Sequence, residues 1–246
     1  MANPLWKKIE QSRPYWRVKL LVKRLQGREL WLRRQTNVRT LAYGDWKVAV
    51  GELDADSIVY SLGVGDDIDF DLAMIQQFGC RVFAFDPTPT SATFLTSKNP
   101  PPAFEFHQWA IAAQDGTLTL YPRVKKDGTL SDMMFTLAPE TASRDHGVEV
   151  PAYSIASLMT KLGHQQVDVL KMDIEGAEYE VLDGLLDAPN KPKQLLVEFH
   201  HRIPGIGVPK TAAIISRLQQ SGYRIFAVSG TGREVSFMHL PADAAP

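Results

Sequence analysis

From residue 57 onward the chain alternates short apolar runs with stretches whose apolar residues recur every three or four positions. Residues 57–62 (SIVYSL), 81–86 (RVFAFD), 104–112 (FEFHQWAIA), 167–173 (VDVLKMD) and 194–200 (QLLVEFH) read as buried strands. After the first of these, DIDFDLAMIQQFG sets Ile68, Leu72 and Ile75 at i, i+4 and i+7 and closes at Gly79, predicting a helix with its own stop. PTPTSATFLTS opens a second helix behind prolines, SIASLMTKLG is a short one closed by Gly163, and GAEYEVLDGLL and residues 210–221 supply two more. Residues 116–150 alternate with period two around Asp127-Gly128 and predict hairpins. At the end, YRIFAVS and EVSFMHLP flank a glycine turn and predict an antiparallel pair.

Strands alternating with helices imply an α/β fold, a mostly parallel sheet covered by helices on both faces. The terminal hairpin brings the strand count to seven. Such sheets bind ligands beyond the carboxyl ends of their strands. The acids and histidines of interest all sit at such ends: Asp66, Asp86, Asp173, Glu198 and His200.

The loop after the first strand, SLGVGDDIDFD (61–71), opens like a nucleotide-binding turn with Gly63 and Gly65. It then carries Asp66, Asp67, Asp69 and Asp71, where a phosphate would require backbone donors and no anion. Asp86 follows Gly65 at the interval at which an acid bonds ribose hydroxyls in dinucleotide folds, so an NAD(H)-dependent oxidoreductase is one reading. Against it stand Ile68 in place of a third glycine, the two aspartates, and no second domain for a hydride acceptor. S-adenosylmethionine has a ribose for Asp86, no phosphate, and a sulfonium and an ammonium that favour nearby carboxylates. Asp66 and Asp67 also suit a helix start electrostatically, and both readings can hold together.

The pattern as a whole resembles the class I, Rossmann-like S-adenosylmethionine-dependent methyltransferases. VDVLKMDIEGAEYEVLDGL (167–185) resembles the signature block of the FkbM methyltransferases, while GCRVFAFDPTP and VYSLGVGDDIDFD resemble the second-strand and glycine-loop blocks of one branch. The resemblance spans about residues 55–240. It departs at Ser61, where the family's glycine motif opens with an acid, and at Asp67, where it has a third glycine. It implies O-methylation of a hydroxyl on a small molecule or sugar. It also implies cofactor contacts from Gly63, Gly65 and Asp86, with Trp109 beside the adenine; Trp109 reads equally as core, Asp66 and Asp67 are cofactor candidates by their charge, and Asp173 could steady the cofactor.

Methyl transfer needs alignment of the acceptor and removal of its proton. His200 is the candidate base, since an unperturbed imidazole titrates near neutrality. Asp173 and Glu198 complete the catalytic candidates. Strand alternation places Glu198 and His200 on one side and sends His201 to the other. Asp173, Glu198 and His200 could alternatively hold a divalent cation, although no compact ligand spacing supports one. Glu175 and Glu178 follow at a helix start, where helix electrostatics alone would favour them. Lys125, Lys126, Met133, Met134 and Phe135 lie in a segment read as an acceptor lid or as an ordinary hairpin.

Charge changes the picture only at the amino end. Residues 1–50 hold 12 Lys/Arg and 3 Asp/Glu, whereas the remainder holds 15 and 25. Residues 1–50 therefore read as a basic helical extension and 51–246 as the methyltransferase domain. The stretch RPYWRVKLLVKRLQGRELWLRR could lie on an anionic membrane or touch nucleic acid. The blander reading packs Trp16, Leu20, Leu21 and Trp31 inward with solvated charges outside, and no nucleic-acid partner is expected. A third functional class follows from the same segment: a non-catalytic module that binds cofactor and recruits partners through it. One cysteine, Cys80, and an amino terminus without an apolar leader fit a reducing, cytoplasmic setting; Cys80 reads as a small buried apolar residue.

Overall fold

The computed structural model describes residues 13–124, 128–136 and 146–240. The chain divides into two compact units, Leu53–Pro192 and a second made of Met1–Glu52 with Lys193–Pro246.

In the unit Leu53–Pro192, strands β3 (Ile58–Leu62), β4 (Arg81–Phe85), β5 (Phe104–His107) and β10 (Val169–Met172) form a parallel sheet in the order β10-β3-β4-β5. Their runs are almost wholly apolar because helices cover such a sheet on both faces. Tyr60, Leu62, Phe83, Phe85 and Leu170 are buried to within 2% of complete exclusion. Each such side chain contributes about 1.5–3 kcal/mol of burial.

Helix α2 (Asp69–Phe78) ends where the sequence predicts, with Gly79 in the left-handed conformation and its N–H returned to Ile75 O. Helix α3 (Pro89–Lys98) starts from a Thr88 cap with proline in its first turn, and α4 (Ile155–Leu162) from a Ser154 cap, closing at Gly163. Helix α5 spans Glu178–Leu186. Cys80 is fully buried, and burial pushes its thiol up to about 11, so it is a core residue.

The strand expected over 104–112 is two strands. A tight turn in which Trp109 N–H donates to His107 O separates β5 from β6 (Ala110–Ile111). β6 pairs with β9 (Val148–Tyr153) in a second sheet, order β6-β9-β7-β8, with β7 (Gly116–Val124) and β8 (Leu130–Thr136). Ala110, Leu120, Val150 and Ala152 form its small core. The hairpin reading of 116–150 therefore holds for the described strands. Lys125, Lys126 and the side chains of Met133 and Met134 lie outside the described residues, while Phe135 packs on the small core.

In the other unit, β11 (Gln194–Glu198), β13 (Glu234–His239) and β12 (Tyr223–Val228) pair antiparallel in the order β11-β13-β12, with α6 (Gly207–Gln220) preceding β12. The terminal hairpin is thus present. The strand pattern of the α/β fold read from the sequence appears as four parallel strands in one unit and three antiparallel strands in the other.

The amino-terminal part, described from residue 13, holds both a helix and a hairpin. Among its described residues α1 (Arg13–Leu25) is helical, and β1 (Thr40–Tyr43) and β2 (Trp46–Ala49) form a hairpin turning at Gly44-Asp45. TLAYGDWKVA alternates around a Gly-Asp pair, a hairpin signal inside a stretch dominated by basic charge. β2 is held within its own unit by Gln194, which accepts from Ala49 N–H and donates to Ala49 O, both at 2.8 Å.

Candidate functional site

The carboxyl ends of β3, β4 and β10 meet at the glycine loop. Gly63 has φ +75°, and a Cβ there would lie 1.7 Å from the Asp173 carbonyl oxygen. Only a residue without a side chain lets these two backbones approach so closely. Asp173 is locked in turn, its N–H donating to Leu62 O at 3.0 Å.

Asp86, 5% exposed at the end of β4, is the hub of the loop. Its Oδ2 accepts from Gly65 N–H at 2.9 Å, and its Oδ1 accepts from Thr88 N–H at 2.9 Å and Thr88 Oγ1 at 2.6 Å. Gly63 N–H donates to Phe85 O and Asp67 N–H to Val64 O. Gly63, Gly65, Asp86 and Asp173 are therefore brought together.

The four aspartates of the loop separate. Asp66, Asp67 and Asp69 are exposed and line an open depression of about 500 Å³ with Phe94 and Lys98. Asp67 Oδ1 accepts from Asp69 N–H at 2.8 Å, the local turn a helix start favours. Asp71 instead points inward and is fully buried. Burial raises its carboxyl above the usual range, opposed by the Lys171 ammonium and by Ser61. Ser61 and Lys171 are themselves buried and sit opposite each other in the β3–β10 register. The position where the family motif has an acid thus lies beside Asp71 of α2 and Lys171 of β10. Sequence periodicity gave no sign of this, because Asp71 falls in a run of alternating aspartates.

Past Asp173 the backbone is strained: Glu175, an exposed residue, has φ +51°. Non-glycine residues in this region cluster at functional sites. Glu178 is fully buried and accepts from Gly176 N–H at 2.8 Å, closing the start of α5 as helix electrostatics suggested. Trp109 is half-buried in an aromatic cluster. His107 stacks on it at 4.2 Å, Tyr153 meets it edge-on at 5.1 Å, and the Lys161 ammonium stands 5.5 Å from its ring centre. Burial lowers the His107 imidazole below its ordinary value despite neighbouring Glu105.

Glu198 and His200 belong to the other unit. Glu198, in an apolar strand, is neutralised by Arg233 Nη1 at 2.6 Å, and His200 Nε2 lies 3.9 Å from Glu198 Oε1. Arg233 was not singled out from sequence; the cost of an unpaired buried carboxylate was the only available hint of a cation there. β11 ends at Glu198, so strand alternation does not extend to His201. His201 Nε2 lies 3.0 Å from Glu29 Oε1, and Arg202 Nε donates to the same oxygen at 2.6 Å. Burial acts to raise the Glu29 carboxyl, but the bonds from His201 and Arg202 outweigh it and hold it below the usual range. Asp173 belongs to the unit Leu53–Pro192, and Glu198 and His200 to the other.

The family model described as Methyltransferase FkbM domain matches residues 52–225. The chain belongs to the FkbM methyltransferase family. It is 30% identical over 179 residues to a Homo sapiens protein described as probable methyltransferase-like protein 24. It is 28% identical, also over 179 residues, to a Rattus norvegicus protein of the same description. These matches cover 68% of this chain and 41% and 42% of the two relatives, so the chain spans about two-fifths of their length. Among solved structures, the methyltransferase FkbM from Methylobacillus flagellatus KT matches with a TM-score of 0.47 at 15% identity, covering 76% of this chain and 44% of that one. The FkbM block at 167–185 contributes β10, the Asp173 turn and α5.

Proposed function

We propose that this FkbM-family chain is an S-adenosylmethionine-dependent methyltransferase acting on a hydroxyl oxygen of a small molecule or sugar. The observation that carries the cofactor is the wiring of the glycine loop. The amides of Gly63, Gly65 and Asp67 are spent on Phe85 O, Asp86 and Val64 O, so they do not form the ring of donors that a pyrophosphate requires. A ligand with a ribose, no phosphate and positive charge suits a loop carrying Asp66, Asp67 and Asp86. Bound there, S-adenosylmethionine would supply an electrophilic methyl group.

Asp86 accepts three hydrogen bonds, and an ionised carboxylate offers about four acceptor sites, which leaves capacity for a ribose hydroxyl. Gly63 and Gly65 would shape the backbone around the ligand, and Asp173 would border it. His200 would take the acceptor's proton, with Glu198, fixed by Arg233, favouring the imidazolium that results. The preference for oxygen rests on the resemblance of residues 167–185 to the family block.

Calorimetric titration with S-adenosylhomocysteine and, separately, with NAD(H) tests the reading. Binding of the first and not the second is expected. Binding of NAD(H) alone would overturn it in favour of the oxidoreductase.

A further inference from the structure

Helix α1 is amphipathic in an inverted sense. Its outward face is apolar: Val18, Leu21, Val22 and Leu25 recur at i, i+3, i+4 and i+7 and are 63%, 48%, 45% and 72% exposed. The opposite side packs within its own unit, where Leu20 Cδ1 would lie 2.7 Å from a Cβ placed on Gly232. Leu21 and, beyond the helix, Trp31 (58% exposed) are therefore not the inward anchors that the blander sequence reading made them.

The helix contains five Lys/Arg and no acid. Several cations sit on its flanks rather than its outward face. Lys19 stands over Tyr15 and Trp16, and Arg24 lies over Trp31 and donates to Leu30 O. Arg17, Arg28, Arg33 and Arg34 are exposed. Scattered exposed apolar residues are ordinary, but four in one helical stripe bordered by cations are a docking face.

We propose that this face docks α1 onto an anionic lipid bilayer. Val18, Leu21, Val22 and Leu25 enter the boundary between headgroups and acyl chains, and the flanking arginines and lysines meet lipid phosphates. Among the described residues no helix is long and apolar enough to cross a membrane, so the contact is interfacial. A second copy of the chain fits the face poorly, because two such helices bring like charges together. Four side chains also fall well short of the roughly 800 Å² per partner of a stable interface. Nucleic acid needs phosphate contacts and makes no use of an apolar stripe at the centre of the surface.

Vesicle flotation of the purified chain tests this, with phosphatidylcholine alone and with about 30% phosphatidylglycerol added. Binding is expected only to the anionic vesicles, weakened by about 0.5 M salt. The double variant Leu21→Ser, Leu25→Ser should lower the bound fraction at least about tenfold, while Leu21→Ile, Leu25→Met retains it and controls for folding. No binding to either vesicle, or binding that the serine variant leaves intact, would overturn the proposal. It would equally be overturned if light scattering showed the serine variant converting a dimer to a monomer without changing flotation. Retention on nucleic acid in place of vesicles would do the same.

Discussion

Replacing Gly63 by alanine tests the geometry on which the site rests. The new methyl carbon would sit 1.7 Å from the Asp173 oxygen and 2.7 Å from its carbonyl carbon, with φ held at +75°. Neither obstacle is a flexible side chain. The Asp173 amide is bonded to Leu62 O, and β10 runs in register with β3 from Val169 to Met172. Left-handed backbone costs an alanine about 1–2 kcal/mol, and forcing atoms into a packed region adds about 1–3 kcal/mol. The expected loss is about 2–5 kcal/mol. Gly65→Ala is the internal control: φ is +58°, but nothing lies within 4 Å of the added methyl, so only the backbone term of about 1–2 kcal/mol applies. Urea unfolding followed by circular dichroism should separate the two variants by about 2 kcal/mol at equal m-value. Two midpoints equal within about 0.5 kcal/mol would refute the reasoning, because the close approach of Gly63 to Asp173 would then carry no weight.

The same loop predicts that Asp86→Ala weakens S-adenosylhomocysteine binding by about 1–3 kcal/mol in calorimetry, the scale of a lost charge-assisted hydrogen bond. Unchanged affinity would remove Asp86 from the site. His200→Ala should lower turnover far more than cofactor affinity once an acceptor is in hand, and a parallel loss of affinity would count against its role as base. Glu29 gives a pH signature. Its folded carboxyl is depressed, so its contribution is present above the unfolded value of about 4.3 and is lost as pH falls through the folded value. Thermal melts between about pH 7 and pH 3 should therefore show a steeper acid loss for the native chain than for Glu29→Gln. Parallel profiles would mean that the His201 and Arg202 contacts carry no linkage.

Much of the architecture follows from local chemistry. Strand and helix periods, the Gly79 and Gly163 stops and the proline-led α3 are properties of short segments, so they are legible in the sequence. The FkbM block and the paired glycines at 63 and 65 are legible for the same reason, since a tight turn restricts which residues can occupy it. The break of 104–112 into β5 and β6 was not legible, because both halves are apolar and only the pairing of Ala110 with Ala152 decides where the first strand ends. Nor was the division of the four loop aspartates. Their sequence spacing is regular, but helix α2 turns Asp71 towards Lys171 while the β3–β4 ends leave Asp66 and Asp67 in solvent.

Partners supplied from far along the chain show the same limit. Arg233 for Glu198, and Glu29 for His201 and Arg202, lie 35, 172 and 173 positions apart, and no local pattern encodes such pairs. The sequence by itself determined most of the elements, the family and the residue types a cationic, phosphate-free cofactor would need. Only tertiary structure decided which carboxylates are buried, which amides are already used, and that α1 turns its apolar stripe outward. Burial and pairing depend on what the rest of the chain brings alongside, and hydrophobic period alone cannot say which face of a helix meets the core.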